Sequence, residues 1–326
     1  MALGFWKKLK KPIMVMAPMS GVTDQAFRLM FLKYKRPDVF YTEFVSADGL
    51  LSKGKQYCLE TLSFDSNEHP IVAQVFGSNP EYFGQTAKLI AELGFDGIDI
   101  NMGCPDKNVE KNGGGSSLIN NPELAKQIIQ ATKKGAPNIP VSVKTRIGYD
   151  KNEIDNWITT ILKENVDVLI VHFRTRKEMF TPPAHWELAK DIIKLRDKYS
   201  PDTLIIGNGD IKTLDQANQL IKETGLDGFM VGRALLGNPW FFSGKEPDIK
   251  ERLNAIIEHG QILENFYKQE IGADGYCRKF NTIKKHFHGY TKGIADAKDL
   301  RESLMKTKSS FEAKKVIDDF LANIKQ

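Results

Sequence analysis

Gly97-Ile98-Asp99-Ile100-Asn101-Met102-Gly103-Cys104-Pro105 is the stretch on which the fold turns. Its first six residues are a short apolar run with β-branched isoleucines, the composition of a strand buried on both faces. Its last three form a turn that lifts one thiol off the strand's C-terminal end. The same pattern, a short apolar run, a loop and a helix-period segment, repeats along the chain. The strand candidates are Ile13 to Ala17, Val39 to Phe44, Ile71 to Phe76, Gly97 to Met102, Val141 to Thr145, Val168 to His172, Leu204 to Gly207 and Gly228 to Val231. Between them lie helical stretches such as Pro80 to Leu93 and Pro122 to Lys133. Asn79 and Asn121 precede these prolines as N-caps.

Eight alternating units over about 240 residues predict an α/β fold, a (β/α)8 TIM barrel. The rival is an open doubly wound sheet. A closing count of eight and the lack of GxGxxG after any strand favour the barrel. Beyond Trp240-Phe241-Phe242 comes the polar breaker Ser243-Gly244-Lys245-Glu246-Pro247. Past it the chain reads as helix only. The expected organisation is a catalytic barrel over residues 1–243 and an all-α helical-bundle domain of about four helices over 244–326.

The chain has 326 residues, 41% hydrophobic and 27% charged, an ordinary soluble profile. Cys58, Cys104 and Cys277 have neither CxxC spacing nor an even count, which argues against a disulfide framework or zinc site and for a reducing cytoplasm. Lys7 to Lys11 precede an apolar piece too short for a secretory signal, and no window reaches the ~18 apolar residues of a membrane span.

In a barrel the C-terminal strand ends form the active face. Here they carry Ala17-Pro18-Met19-Ser20, Glu43, Gln74, Asn101 with Cys104, Lys144-Thr145-Arg146, His172-Phe173-Arg174, Asn208-Gly209-Asp210 and Gly232-Arg233. One polar end is a loop; eight together are a convergent site. Gly209 and Gly232 would let backbone N–H groups approach an anion after strands seven and eight, and Arg233 adds charge. Alternatively they are tight turns that need glycine. Lys144 and His172 could hold a second polar region of a flat cofactor, or be a paired buried lysine and a satisfied core histidine. A phosphate at one side and a Lys/His/Gln cluster at the other suit flavin mononucleotide.

Six ordered motifs resemble the dihydrouridine synthases. They are Ala17-Pro18-Met19-Ser20-Gly21-Val22-Thr23-Asp24-Gln25-Ala26-Phe27-Arg28, Asn101-Met102-Gly103-Cys104-Pro105, Val143-Lys144-Thr145-Arg146-Ile147-Gly148, Val171-His172-Phe173-Arg174-Thr175-Arg176, Ile206-Gly207-Asn208-Gly209-Asp210-Ile211 and Gly232-Arg233-Ala234-Leu235-Leu236-Gly237-Asn238-Pro239-Trp240. Lys284-Lys285-His286-Phe287-His288-Gly289-Tyr290-Thr291-Lys292-Gly293 resembles the family's signature in its helical domain. The resemblance implies an FMN enzyme that reduces uridine in folded RNA, tRNA above all, to 5,6-dihydrouridine, with NADPH (or NADH) as reductant. Ribosomal RNA is a further possible target, and no obligate protein partner is implied. Carried over by motif, Pro18, Met19, Ser20, Gln74, Lys144, His172, Asn208, Gly209, Asp210, Gly232 and Arg233 would contact FMN. Asn101 would face the uracil and Cys104 would be the acid.

The chemistry of the residue types agrees. Hydride added at C6 of uracil leaves negative charge over C5 and O4, and a proton must reach C5. A free thiol, with a reference pKa of about 8.5, is mostly protonated at pH 7, where a carboxylate is already ionised. A nucleophilic cysteine hydrolase would need a base close by, and His172 is assigned to the flavin. Three features depart from the family. Lys111-Asn112-Gly113-Gly114-Gly115-Ser116-Ser117 is richer in glycine and reads as a looser loop near Cys104. Phe173 stands where glycine is usual, and Thr181-Pro182-Pro183-Ala184-His185-Trp186 is unusual; all are expected on an RNA-facing rim.

From Arg278 to Lys308 there are nine Lys or Arg against three carboxylates, a local excess larger than the whole chain's +5. Phe280, Phe287 and Tyr290 interleave with it, so the segment is either a phosphate-binding stripe with stacking aromatics or a solvated face over core aromatics. With the resemblance, Arg278, Lys279, Lys284, Lys285 and His286 are expected to hold RNA, and Arg174 and Arg176 to grip it near the flipped base. The rival readings are an FMN barrel reducing a small pyrimidine or enone, and a non-catalytic RNA-binding or chaperone role.

Overall fold

The computed structural model describes residues 4–270, 272 and 277–324. Nine strands form one parallel sheet: β1 (Ile13–Met16), β2 (Phe40–Tyr41), β3 (Val45–Ser46), β4 (Ile71–Phe76), β5 (Gly97–Met102), β6 (Val141–Arg146), β7 (Val168–His172), β8 (Leu204–Asn208) and β9 (Gly228–Val231). The hydrogen-bonded order runs β1-β9-β8-β7-β6-β5-β4-β2. The Val15–Val39 bridge and the bond from Met16 N to Val39 O (3.1 Å) carry β1 on to the second stave and close the ring. This is the expected (β/α)8 barrel, with one local difference. The second stave is split into β2 and β3, both along β4, where a single run over Val39 to Phe44 was expected. Thr42 causes the break. Its N–H still bonds Val72 O (3.0 Å), but its hydroxyl takes the Gln74 N–H (3.3 Å), and the ladder resumes only at Val45.

The crossover helices start where the sequence predicts. Asn79 Oδ1 accepts from Glu81 N and Tyr82 N ahead of Pro80, and Asn121 Oδ1 accepts from Leu124 N ahead of Pro122. Each cap satisfies donors that the helix cannot, and proline costs nothing at the first position.

The pleat divides the barrel interior into an apolar floor and a polar top. Residues two apart share a face, so Asp99 and Asn101, Ser142, Lys144 and Arg146, and Ile170 and His172 line up across neighbouring strands. The register confirms it, with Gln74 beside Asp99, Asp99 beside Ser142, Asn101 beside Lys144, Arg146 beside His172, and His172 beside Asn208. Below them Ile13, Val15, Val72, Val168, Ile170, Ile206 and Met230 pack with Trp6 into one buried cluster.

By contacts the chain divides into two compact units, 1–19 with 37–232, and 20–36 with 233–326. The change of composition at residue 243 therefore lies inside the second unit. That unit is helical, built on Gln25–Tyr34, Ile249–Phe266, Ala297–Lys306 and Ser310–Ile324. Its core joins Ala26, Met30 and Trp240 to Leu253, Ile256, Phe280, Phe287 and Leu304. Asp248 and Glu251 form a capping box at the start of its longest helix. No helix among the described residues is long and apolar enough to cross a membrane.

Candidate active site

Cys104 follows β5, and the backbone around it is fully tied. Asn101 Oδ1 accepts from Gly103 N (3.2 Å) and Cys104 N (2.9 Å). Arg146 Nε donates to Gly103 O (2.8 Å). Cys104 O accepts from Ser116 N (3.0 Å) and Ser116 Oγ (2.8 Å). All four backbone polar groups of Gly103 and Cys104 thus have partners within the barrel unit. Ser116 Oγ also contacts Glu110 Oε1 (2.9 Å), which takes Arg176 Nε (2.8 Å), and Arg176 Nη2 pairs with Glu110 Oε2. Burial alone would raise the Glu110 carboxyl, but the bonds from Arg176 and Ser116 outweigh it and hold it below the usual range.

The glycine-rich segment is accordingly tight, contrary to the looseness expected of it. Gly115 has φ +61, and a Cβ there would lie 2.6 Å from Cys104 O and 2.8 Å from Val109 Cγ1. A Cβ on Gly114 would lie 3.0 Å from Gly77 O. Glycine here permits close backbone approach.

Beneath the turn runs a buried hydrogen-bonded chain. Asn101 Nδ2 donates to Gln74 Oε1 (2.9 Å), Gln74 Nε2 to Asp99 Oδ2 (2.7 Å), and Ser142 Oγ to Asp99 Oδ1 (2.5 Å), with Tyr41 OH 3.2 Å from Ser142 Oγ. Burial pushes the Asp99 carboxyl up to about 6 against the opposing pull of Ser142, Gln74 and Lys144. Burial, reinforced by Arg146, pushes the Lys144 ammonium down to about 8. Burial likewise pushes the Cys104 thiol up, so that it is protonated at neutral pH.

Apart from Ser20 and Arg233, the residues expected around a cofactor lie in the barrel unit. Lys144 Nζ donates to Asn208 Oδ1 (3.3 Å), and Asn208 Nδ2 donates to Met230 O (2.8 Å). Gly209, at φ +129, sits against His172, whose Cδ2 would be 3.3 Å from an added Cβ. Met19 Sδ lies 3.4 Å from where a Gly232 Cβ would be. Pro18 stands two residues past the end of β1, and Gln74 and Asn101 belong to the hydrogen-bonded chain beneath the turn. The Asp210 carboxylate is engaged otherwise: Oδ2 pairs with Arg174 Nη2 and takes Ala184 N (3.0 Å). Ser20 and Arg233 group by contact with the helical unit.

The arginines and histidine expected to hold RNA have other surroundings. The Arg174 side chain is only 2% exposed and donates to Pro182 O (2.5 Å) as well as to Asp210. Arg176 is paired with Glu110. His286 is buried in the helical unit beside Phe27 and His259, with Nδ1 taking Gly237 N (3.3 Å). Burial removes His286 and Arg174 from any surface that RNA could touch. Lys279 and Lys284 are half-buried and Lys285 is exposed, while the side chain of Arg278 lies outside the described residues. Phe280, Phe287 and Tyr290 are core residues, and Lys292, Lys298, Lys306 and Lys308 join Lys285 as exposed cations of that stripe. Phe173 is also buried, its ring 4.8 Å from Trp186, whose Nε1 donates to Gly209 O (2.9 Å). Phe173, Ala184 and Trp186 thus pack behind the Gly209 turn, while Thr181 and Pro183 of the second segment are exposed.

Asp99, Ser142, Tyr41, Glu110 and Ser116 escaped the sequence reading. The signal for Asp99 and Ser142 was period-two alternation: each lies two residues before a candidate, on the same face of its strand. Glu110 and Ser116 sit in loops, where no period marks a partner.

A closed parallel barrel with its polar side chains gathered at the C-terminal strand ends is the architecture of the (β/α)8 enzymes. The model of the family "Dihydrouridine synthase (Dus)" matches residues 15–325. A probable tRNA-dihydrouridine synthase of Staphylococcus aureus (strain N315) is 41% identical over 325 residues, covering 98% of this chain and 96% of the relative. A probable tRNA-dihydrouridine synthase 2 of Bacillus subtilis (strain 168) is 42% identical over 324 residues, covering 98% and 97%. The chain belongs to the dihydrouridine synthase family, whose members are oxidoreductases. Among solved structures, a variant of NCR from Zymomonas mobilis has a TM-score of 0.50 at 16% identity, covering 72% of this chain and 88% of that one. Histamine dehydrogenase from Rhizobium sp. 4-9 has a TM-score of 0.51 at 12% identity, covering 76% and 48%. At such identities the likeness concerns fold alone.

Proposed function

We propose that this protein reduces specific uridines of tRNA to 5,6-dihydrouridine, with FMN as cofactor, NADPH as reductant and Cys104 as the proton donor, in the cytoplasm. The observation that carries the reading is a thiol kept protonated by burial, on a turn where the N–H and C=O groups of Gly103 and Cys104 are all held. The residues fit FMN. Lys144 is a partly buried cation with two N–H bonds to offer beyond Asn208, and the Gly209 turn brings bare backbone against the His172 ring. Lys144, His172 and Asn208 would hold the flavin's polar edge, and the backbone at Gly209 and Gly232 its phosphate; Gln74, expected to touch the flavin, is wholly buried and lies behind Asn101. FMN when bound supplies the hydride that reaches C6 of uracil.

The chain's own residues do the rest. Asn101 keeps one Nδ2–H for a uracil carbonyl, because its other groups are committed to Gln74, Gly103 and Cys104. Cys104 gives its proton to C5 as negative charge develops there. The resulting thiolate is reprotonated from solvent before the next turnover, and the nearby Lys144 and Arg146 charges stabilise it meanwhile. The exposed Lys292, Lys298, Lys306 and Lys308 supply sequence-independent attraction for tRNA phosphates.

The test is mass spectrometry of tRNA made without modification, incubated with the purified protein, FMN and NADPH. A gain of two hydrogens at uridine is expected. Cys104→Ala should keep its yellow flavin and lose at least about 100-fold in rate, the scale of a positioned general acid. A protein that cannot take up FMN, or a Cys104→Ala variant as fast as the parent, would sink the reading.

A further inference from the structure

The buried chain beneath Cys104 has a direction, fixed from both ends. Consider its two ends. At the upper end the Gly103 and Cys104 N–H groups can only donate. At the lower end an ionised Asp99 can only accept, taking Gln74 Nε2 at one oxygen and Ser142 Oγ at the other. Between them stand two primary amides, Gln74 and Asn101, each able to sit either way round. With both ends of fixed sign only one arrangement satisfies every contact. Gln74 must turn its nitrogen to Asp99 and its oxygen to Asn101. Asn101 must turn its nitrogen to Gln74 and its oxygen to the turn. Reversing either amide would set two N–H groups or two oxygens face to face at 2.7–2.9 Å.

Water cannot repair such a mismatch. Asp99 and Gln74 are 0% exposed, Ser142 2% and Asn101 6%. An unmatched polar group there bears its full desolvation penalty. The strand register makes the chain possible, because Gln74 pairs with Asp99 directly across the β4–β5 ladder.

We propose that Asp99 is a positioning residue: as the acceptor-only end of the Asp99–Gln74–Asn101 chain, it fixes the amide polarity that holds the Cys104 turn and keeps the remaining Asn101 N–H a donor toward a substrate carbonyl. Asp99 touches neither Gly103 nor Cys104 and acts through two intervening side chains. The role for the substrate rests on the proposed uridine reduction; the role for the turn does not.

The test is hydrogen exchange at the Gly103 and Cys104 amides, with the rate of Cys104 alkylation by iodoacetamide, on the full-length flavoprotein without RNA or reductant. Asp99→Leu deletes the acceptor and keeps the branching and the number of side-chain heavy atoms. It should speed exchange at both amides at least about tenfold and change the alkylation rate at least about threefold. Asp99→Asn keeps an oxygen for Gln74 and an N–H that Ser142 can accept, so it should return both readouts to within about threefold of the parent. If Asp99→Leu does not fold, Gln74→Leu interrupts the same chain one link later and should give the same acceleration. Exchange and alkylation unchanged in the folded interrupting variant would overturn the proposal. So would an Asp99→Asn as damaging as Asp99→Leu, since charge and not acceptor polarity would then be what matters. Neither readout needs turnover, so this failure is distinct from a failure to make dihydrouridine.

Discussion

Replacing Gly115 by alanine should unseat Cys104, and the size of the effect can be worked from two costs. The first is conformational. Gly115 has φ +61, and an L-residue in the left-handed region costs roughly 1–2 kcal/mol. The second is contact. The new methyl would lie 2.6 Å from Cys104 O and 2.8 Å from Val109 Cγ1, and the first of these is backbone already bonded twice by Ser116. Overpacking of this kind adds about 1–3 kcal/mol. Gly94 separates the terms, because it has φ +88 and nothing within 4 Å of an added Cβ. Gly94→Ala therefore meets only the conformational cost. At about 2–4 °C per kcal/mol, Gly115→Ala should melt about 2–12 °C below Gly94→Ala. The assay is thermal unfolding of the two variants, paired with iodoacetamide alkylation of Cys104, which should change in Gly115→Ala alone. Equal melting temperatures together with an unchanged thiol would refute the claim that this loop is tight and that Cys104 is held by it.

Two further expectations concern pH. Lys144 is pushed down to about 8, so its positive charge is lost as pH rises through that value; FMN affinity measured by fluorescence titration should weaken above about pH 8, and Lys144→Met should remove the inflection. The stability of the flavin-free protein should show the opposite sign, because between pH 8 and 10 the unfolded chain keeps a lysine proton that the folded chain has shed, so Lys144 makes stability rise with pH there. His286 is pushed down to about 3 by burial. Its unfolded value is near 6.5, so the unfolded state takes a proton that the folded state refuses, and stability should fall as pH drops below about 6.5. Urea midpoints at pH 7.5 and 5 should differ less in His286→Gln than in the parent, and an identical difference would contradict the burial argument.

What could be read from residues in order was local. Eight apolar runs with capped helices between them gave the barrel, because burial on both faces and helix starts are written in a few consecutive residues. Cys104, Asn101, Lys144, His172 and the Gly209 turn stood out for the same reason, each being a polar residue or glycine at the end of such a run. The second stave was misread as one strand because the sequence does not show that the Thr42 hydroxyl would take a ladder bond from Gln74.

Tertiary structure decided what depends on which residues meet. Asp99 looks like one acid in an apolar strand until the β4–β5 register sets Gln74 beside it. Gly113 to Ser117 look loose until Gly114 and Gly115 are seen against the backbone of Gly77 and Cys104. Phe173 looks like a rim residue until Trp186 closes over it, and Arg174 and His286 look like RNA ligands until Asp210 and the aromatic core of the helical unit take them up. Short-range pattern carries the fold class because burial follows from hydrophobicity, and the ordered motifs carry the family resemblance and the reaction it implies. The sign of a hydrogen bond, the tightness of a turn and the availability of a charge follow from contacts between residues distant along the chain, which exist only once the barrel has closed.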